Sequence, residues 1–255
     1  MLDMNFIREN PDKVRWMLEA RGMEVDLEGL LEWDRKFREA TTEVNELRHR
    51  RNVLAETIPR AEDPQEKRKL IEESREVNRR IKELEEVIAA YVDTHSSIKA
   101  MVERIMTIPG ISLVTAATIV AEVGDFTRFP DKKQISGWAG VVPRTRESAG
   151  VQRGYGITKR GSPYLRHALH EVANVIILRK EPKELYAFYW RVRRRSGKYK
   201  AITALAHKVL IVLWGMMTTG SNLEMDSNMR RLYNRKLKRF NNMAELGKRV
   251  LLEVT

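Results

Sequence analysis

Residues 44–58, VNELRHRRNVLAETI, and residues 77–91, VNRRIKELEEVIAAY, decide the fold of the first part of this chain. Both stretches carry apolar residues at alternating spacings of three and four, with one polar interruption at Arg51 in the first. Residues 59–64, PRAEDP, separate them with two prolines. Two apolar seams on either side of a helix breaker predict an antiparallel coiled-coil hairpin. The seam residues are Trp33, Phe37, Ala40, Val44, Leu47, Leu54 and Ile58 in the first arm and Leu70, Val77, Ile81, Leu84, Ile88 and Tyr91 in the second.

Each predicted arm has roughly 25 residues, so the hairpin extends on the order of 40 Å at a rise of 1.5 Å per residue. Five arginines lie along it: Arg48, Arg50, Arg51, Arg79 and Arg80. On an acidic segment, such residues are typical of solvated helix faces that form ion pairs one turn apart. The preceding residues predict short helices, with a start at Asn10-Pro11 and a stop at Gly22.

The net charge of +12 is distributed unevenly over the 255 residues. Residues 1–100 contain 19 Lys and Arg against 23 Asp and Glu, a balance of −4, which leaves 28 against 12, or +16, for residues 101–255. A segment this basic is expected to bind a polyanion. Nucleic acid is favoured over an anionic membrane, because no amphipathic helix combines Trp or Phe with Lys as an interfacial anchor does. A basic surface that serves solubility is the alternative.

The composition is that of a helical protein with a packed core, since 42% of the residues are hydrophobic and 32% are charged. The chain has no cysteine, which excludes a disulfide framework and agrees with a cytoplasmic location. The early charge at Asp3 is unlike a secretory signal. The most apolar stretch, Ala201 to Met217, is interrupted by His207 and Lys208, so we expect a buried helix too short and too polar to span a bilayer.

Alternation with a period of two residues is almost absent, so the predicted fold class is all-α. The expected architecture is an N-terminal antiparallel coiled-coil hairpin followed by a helical domain with a turn like that of a helix–hairpin–helix motif. The predicted domains are a coiled-coil arm at 1–94, a helical domain at 95–222 and a basic helical tail at 223–255. Within the second domain, residues 137–161 contain six glycines and predict a loop.

The stretch Ile108-Pro109-Gly110-Ile111 precedes a helix of small residues and has the pattern of a helix–hairpin–helix turn. Pro109 and Gly110 are therefore candidate nucleic-acid contacts. Glycine allows the backbone to turn tightly, and free N–H groups at the next helix N-terminus can hold a phosphate. Such contacts position a duplex without reading its sequence. The alternative is ordinary packing of two helices across a turn.

Ser148 lies on a glycine-flanked stretch that is rich in basic residues. Guanidinium groups bind phosphodiester oxygens in pairs and stabilise the charge that develops during phosphoryl transfer. Ser148 is therefore a candidate nucleophile, although the residues alone favour a turn role, because a serine hydroxyl reacts only with a base or metal beside it. The candidate nucleic-acid-binding residues around it are Arg144, Arg146, Lys159, Arg160 and Arg166.

Other chemistry-bearing residues give weaker signals. His167 and His170 lie three apart without a carboxylate or cysteine spaced to join them, so no metal site is expected. His207, on an apolar helix, is interpreted as a core histidine. A run of aromatic residues followed by arginines fits either base stacking with phosphate contacts or a helix core with a solvated basic edge. That run consists of Tyr186, Phe188, Tyr189, Trp190, Arg191, Arg193, Arg194 and Arg195.

Residues 95–240 resemble the C-terminal domain of the IS110/IS116 insertion-sequence transposases. The ordered motifs that carry this resemblance are Ile108-Pro-Gly-Ile111, Trp138-Ala-Gly-Val-Val-Pro143, Glu147-Ser-Ala-Gly150, Gly156-Ile-Thr-Lys-Arg-Gly161, Tyr164-Leu-Arg-His-Ala-Leu169 and Leu232-Tyr-Asn-Arg-Lys-Leu-Lys-Arg239. The resemblance implies DNA transposition by recombination, with Ser148 in the position of the family's serine nucleophile. It also implies a separate RuvC-like domain with metal-binding acidic residues, and guidance by an RNA that the element encodes.

Residues 1–90 resemble the tRNA-binding arm of seryl-tRNA synthetase. The resemblance rests on Ile7-Arg-Glu-Asn-Pro11, Leu47-Arg-His-Arg-Arg-Asn52 and Asn78-Arg-Arg-Ile-Lys-Glu-Leu84. That arm is a projecting coiled coil that grips the long variable arm of its tRNA, which implies structured RNA as a further partner. The class II catalytic domain is missing after it, so no aminoacyl-tRNA ligase activity is expected.

The arm stands where the transposase resemblance places the RuvC-like domain. The leading hypothesis is therefore a DNA-binding, transposase-type protein that cannot complete recombination alone. It needs no cofactor of its own, and Mg²⁺ only if a RuvC-like partner domain is supplied. A homodimer is expected, because joining two DNA ends takes two active sites. The other hypotheses are a non-catalytic protein that binds tRNA or other RNA through the arm, and a fusion remnant with no selected role.

Overall fold

The computed structural model describes residues 4–148, 151–222 and 227–253, with side chains except at 144–148, 151–155, 227–232 and 249–253. The described residues form helices and one two-stranded sheet, which confirms the all-α class and adds a short hairpin to it. The elements are α1 (Met4–Glu9), α2 (Pro11–Glu19), α3 (Leu27–Thr57), α4 (Pro64–Thr94), α5 (Ser96–Met106), α6 (Leu113–Val123), α7 (Lys132–Trp138), β1 (Pro143–Ser148), β2 (Val151–Ile157), α8 (Pro163–Arg179), α9 (Lys183–Ser196), α10 (Lys198–Thr219) and α11 (Ser227–Glu253).

The chain divides into two compact units. Unit 1 consists of residues 1–93 and 241–255, and unit 2 consists of residues 94–240. The segment predicted as a separate basic tail, 223–255, is thus shared between the units, with residues 241–255 in the first.

Unit 1 is built on the predicted coiled-coil hairpin. Its helices α3 and α4 have 31 residues each, longer than predicted, so each extends about 45 Å. The side chain of Asp26 caps α3 by accepting a hydrogen bond from the backbone N–H of Gly29 at 2.8 Å. A short 3₁₀ turn at Ile58–Arg60 contains the first proline of the breaker and α4 begins at the second, Pro64.

The seam between α3 and α4 is formed by the residues that the spacing predicts. Leu54, Val77 and Ile81 form a buried cluster, and Leu47, Ile58 and Leu70 pack around it. Farther along, Val44 and Ile88 are buried, and the ring of Trp33 lies 4.9 Å from that of Tyr91. Burial of aliphatic and aromatic side chains along the seam stabilises the hairpin.

The arginines of the arm are largely neutralised by glutamates of the same unit. Between the two helices, Arg48 pairs with Glu85 at 2.9 Å, Arg50 with Glu73 at 2.5 Å and Arg80 with Glu43 at 2.7 Å. Within α4, Arg79 pairs with Glu76 and Glu83, as the i,i+3 and i,i+4 spacing allows. These bonds hold the pKa of Glu73 and Glu76 below the usual range. Most of these charges are therefore committed to the arm itself.

The last part of α11 completes unit 1. Gly247 lies so close to α4 that a Cβ atom there would overlap the carbonyl oxygen of Glu86 and press on the side chain of Ala90. One residue later, Lys248 forms an ion pair with Asp93. The buried Met243 and Ala244 lie on the same segment of α11.

Unit 2 packs around α10. Its residues Leu205, Val209, Leu210 and Leu213 are fully buried, and α8, α9 and α7 pack against the helix. The expectation that the stretch Ala201 to Met217 is too short and too polar to span a bilayer was wrong. Helix α10, which contains this stretch, has 22 residues and is long and apolar enough to cross a membrane, by length and composition only. In the structure α10 is a core helix, in agreement with the other half of that prediction.

The stretch predicted as a glycine-rich loop contains an antiparallel hairpin. Strand β1 pairs with β2 from Pro143 opposite Ile157 to Ser148 opposite Val151, with an irregularity between Pro143 and Thr145. The segment lacks apolar alternation, so no periodicity predicted strands. Backbone hydrogen bonds form the ladder, and these are independent of side-chain type.

Replacing Gly247 by alanine is expected to lower the stability of the protein. Alanine favours a helix over glycine by about 1 kcal/mol, but here its Cβ overlaps the α4 backbone. The matched control is Gly215→Ala in α10, where the space is open, so that variant is expected to gain stability. Thermal unfolding of both variants measures the difference, and a gain for Gly247→Ala would contradict the close approach of α11 to α4.

Candidate nucleic-acid interface

At the base of the hairpin, the loop at 158–161 packs backbone to backbone against the turn at 138–142. The loop at 158–161 donates hydrogen bonds from Thr158 to the carbonyl of Val142 at 3.0 Å and from Lys159 to that of Gly140 at 3.1 Å. A Cβ at Gly140 would come within 2.6 Å of the backbone nitrogen of Arg160, and one at Gly161 would overlap the carbonyl of Trp138. Glycine is thus required on both sides of this contact.

This stacking places three of the candidate basic residues near the start of α8. Lys159, whose φ of 56° lies in the left-handed region, and Arg160 are both exposed. Arg166 is half-buried and donates a hydrogen bond to the carbonyl of Gly161, and burial lowers its pKa. Lys159 and Arg160 are therefore available to a phosphate, whereas Arg166 also supports the loop.

Ser148 lies at the other end of the hairpin. Its backbone pairs with Val151 next to the tip, and Arg146 pairs with Arg153. Five residues at about 3.3 Å each separate Ser148 from the base of β1, a distance on the order of 15 Å. The side chains of Arg144, Arg146 and Ser148 lie outside the described part of the structure. The backbone thus does not gather all the candidate residues around one point.

The turn between α5 and α6 is part of the core of unit 2. Pro109 is buried, and a Cβ at Gly110, where φ is +92°, would press on the side chain of Val175 in α8. Three turn carbonyls accept hydrogen bonds from the ammonium group of Lys236 on α11: Met106 at 3.0 Å, Ile108 at 3.1 Å and Ile111 at 2.9 Å. Pro109 and Gly110 therefore lie in a turn that is packed against α8 and bonded to Lys236.

His207 has a structural partner in the core of unit 2. His207 Nε2 lies 2.9 Å from the hydroxyl of Ser136, and that hydroxyl donates to the carbonyl of Lys132 at 2.6 Å. The histidine nitrogen is therefore the donor of the pair, which is not a nucleophile with its base. Burial lowers the pKa of His207, and burial together with the charges of His167 and Arg166 lowers that of His170.

A basic surface, the α9–α10 corner, lies where α9 ends and α10 begins. Its six cations are all exposed, and among the described residues none of them forms an ion pair with a carboxylate. Residues 190–200 contain no acidic residue. The corner consists of Arg191, Arg193, Arg194, Arg195, Lys198 and Lys200.

The tip of the arm gives a useful contrast. Arg60, Lys67, Arg68 and Lys69 are also exposed, and within the described ranges they have no carboxylate partner. Residues 51–72, however, contain five basic and five acidic residues, so their local charge is balanced. Of these two surfaces, the α9–α10 corner is the one whose positive charge is not balanced by acidic residues nearby in the sequence.

The sequence did not predict the contacts of two further residues, Lys236 and Arg128. Lys236 contacts the α5–α6 turn across 125 to 130 residues of sequence, a separation that no periodicity reveals. Arg128 lies over two aromatic rings, 4.6 Å from the centroid of Phe129 and 4.7 Å from that of Trp138. For Arg128, the only signal in the sequence was its position next to Phe129.

Comparison with known proteins finds similarity to two families, in different parts of this chain. The family model described as Transposase IS116/IS110/IS902 family matches residues 102–190, and the one described as Seryl-tRNA synthetase N-terminal domain matches residues 1–109. A probable family 20 transposase of Pseudomonas aeruginosa is 31% identical over 154 residues, which are 59% of this chain and 44% of the relative.

Other relatives also match only one part of the chain, as transposases or as serine–tRNA ligases. The transposase for insertion sequence element IS1111A of Coxiella burnetii is 32% identical over 46% of this chain and 32% of its own length. A serine–tRNA ligase of Methanosarcina barkeri is 39% identical over 43% of this chain and 26% of its own length. The chain thus spans less than half of each of these relatives. Both resemblances drawn from the sequence are confirmed, and the chain is transposase-like over residues 102–190.

Lys236 is expected to make the stability of the protein depend on pH. Burial and the charge of Arg179 lower its pKa to about 8, below the value of about 10.4 in an unfolded chain. Between these values the unfolded state binds more protons, so stability rises with pH, by about 3 kcal/mol in total. Urea unfolding between pH 7 and pH 10.5 measures this as the difference between the native chain and Lys236→Met, which lacks the titrating group. A difference that is flat or falls with pH would contradict it.

Proposed function

We propose that this chain is a transposase-type DNA-binding protein whose unit 2 holds DNA through its basic surfaces. The observation that carries the proposal is the α9–α10 corner, whose six exposed cations have no acidic partner among the described residues. The match of residues 102–190 to a transposase family supports DNA as the polyanion. Phosphate contacts of this kind give affinity without sequence specificity.

Unit 2 carries a second group of exposed cations. Lys159 and Arg160 are exposed on the loop that packs against the turn after α7. Because this loop is fixed by backbone contacts on both sides, its two cations are held at the base of the hairpin. We propose that they bind phosphates of the strand that reaches the hairpin.

Ser148 is the proposed nucleophile in this function. Its Oγ would bond to a DNA phosphorus as one P–O bond of the strand breaks, with the hydroxyl proton passing to solvent and the departing oxygen taking a proton. The covalent phosphodiester preserves the bond energy for rejoining. The position of Ser148 next to the tip of the hairpin supports this role.

We propose that the chain does not complete recombination by itself, because an arm similar to the seryl-tRNA synthetase N-terminal domain stands where the transposase resemblance places a RuvC-like domain. Among the residues whose side chains the structure describes, no three His, Asp or Glu form a cluster that could hold a metal ion. Metal-binding carboxylates would come from a RuvC-like partner domain.

A second candidate function is RNA binding by the arm. The match of residues 1–109 to the seryl-tRNA synthetase N-terminal domain supports it. The cations available for this role include those of the arm tip, whereas Arg48, Arg50 and Arg80 farther along the arm are paired with glutamates. The two functions therefore use different residues, which makes them separable by mutation.

Neutralising the corner is expected to weaken duplex DNA binding and its dependence on salt. In the triple variant Arg191→Gln, Arg194→Gln and Lys198→Gln, the slope of log K against log salt should fall by about 0.9 for each phosphate that the protein no longer neutralises. The matched control is Lys67→Gln, Arg68→Gln and Lys69→Gln at the arm tip, which should leave the DNA slope unchanged. Fluorescence anisotropy with a labelled duplex measures both.

The same pair of variants tests the second candidate. If the arm binds RNA, the tip variant should lose affinity for a tRNA with a long variable arm while the corner variant retains it. An unchanged DNA slope in the corner variant would contradict DNA binding at the α9–α10 corner.

Ser148→Ala is expected to leave duplex affinity within about twofold, because a neutral hydroxyl contributes little to a binding mode dominated by phosphate charge. The purified chain should retard a supercoiled plasmid without nicking it, in the presence of Mg²⁺. Agarose electrophoresis distinguishes retarded supercoiled plasmid from nicked plasmid. Strong nicking that Ser148→Ala abolishes would overturn the proposal that the chain is incomplete and would support the nucleophile.

A further inference from the structure

The α9–α10 corner carries exposed aromatic rings as well as cations. Of the aromatic run in α9, Tyr189 is buried in the core, whereas Trp190 is 37% exposed. In the first turn of α10, Tyr199 is 82% exposed and lies between Lys198 and Lys200. Single exposed rings are common on protein surfaces, so exposure alone does not mark a site. What distinguishes these two rings is that they lie beside cations with no carboxylate partner among the described residues.

Trp190 is held firmly rather than left loose. Its ring lies 5.8 Å from that of Tyr189 and 6.3 Å from that of Tyr186, in edge-on arrangements. The guanidinium carbon of Arg193 lies 4.5 Å from the Trp190 centroid. The indole is therefore fixed by its neighbours while part of its surface faces solvent, and the planar guanidinium adds to the same platform.

Tyr199 differs because its ring serves no packing purpose. Within the described residues it has no aromatic or cationic stacking partner, and only its backbone carbonyl is engaged, by the hydroxyl of Thr203 at 3.2 Å. Gly197, with a φ of 82°, joins α9 directly to α10, so Tyr199 follows the arginine cluster within four residues. Both rings thus stand among cations that have no carboxylate partner.

We propose that the α9–α10 corner is a binding surface for single-stranded DNA, with Trp190 and Tyr199 stacking on unpaired bases. This rests on the proposed DNA-binding function and names the form of DNA that the corner prefers. In a duplex the faces of the bases are covered by their neighbours, so a ring can stack only on a base that is unpaired. Cations alone bind both forms, whereas cations with exposed rings favour the open strand. Opened strands are what a recombination reaction presents to such a surface.

The test compares aromatic variants of the full chain on labelled 20-nucleotide DNA and on the corresponding duplex. Tyr199→Ala and Trp190→Ala should each reduce single-strand affinity by about 5- to 100-fold and duplex affinity by less than about twofold. Trp190→Phe keeps a ring and should retain most of the affinity. Trp16→Ala is the matched control, because Trp16 is 68% exposed in unit 1, beside an arginine already paired with Asp12 and Glu28.

The outcomes separate this inference from the function on which it rests. Unchanged single-strand affinity in Tyr199→Ala and Trp190→Ala, with normal duplex binding, would overturn the stacking surface and leave the DNA-binding function intact. Equal losses on both forms would also overturn it, because the rings would then only support the cations. Tighter binding to RNA of the same sequence would overturn DNA as the occupant. Absence of salt-dependent duplex binding in the native chain would overturn the proposed function itself.

Discussion

A cation that leaves water must find oxygen partners, and this constraint sorts the basic residues of the chain. Along the arm, the partly buried Arg48 pairs with Glu85, whereas the exposed Arg50 and Arg80 form surface ion pairs with glutamates across the coiled coil. In unit 2, Lys236 enters the protein and takes three backbone carbonyls. The cations of the α9–α10 corner stay in water. Their charge remains available, and that availability distinguishes a binding surface from a structural one.

The sequence predicted well wherever a short-range pattern carried the structure. Apolar spacings of three and four located both arms of the hairpin, and the seam residues Leu54, Val77 and Ile81 form the buried cluster between them. The hairpin at 143–157 was missed, because its strands hold together through backbone pairing rather than alternating apolar side chains. The contacts of Lys236 were beyond reach for a different reason, since they join segments more than 100 residues apart.

The candidate site shows the same division. The sequence placed basic residues on both sides of Ser148 and suggested one cluster, yet an extended strand carries Ser148 away from Lys159 and Arg160. For the aromatic run in α9, two interpretations were open because sequence does not report exposure. In the structure each interpretation fits a different residue of the run, since Tyr189 lies in the core and Trp190 lies at the surface. Neighbours in sequence thus differ in exposure, because consecutive residues of an α-helix point about 100° apart around its axis.

The segment of α11 that lies against α4 makes unit 1 discontinuous in sequence. Gly247 and Lys248, near one end of the chain, contact Glu86 and Asp93, about 160 residues earlier. A premature stop codon near residue 240 would therefore damage the synthetase-like unit, although the coding region for its arm would be intact. Conversely, a gene fragment for residues 1–93 would encode an arm without its covering helix. The first and last parts of the coding sequence therefore encode one folded unit.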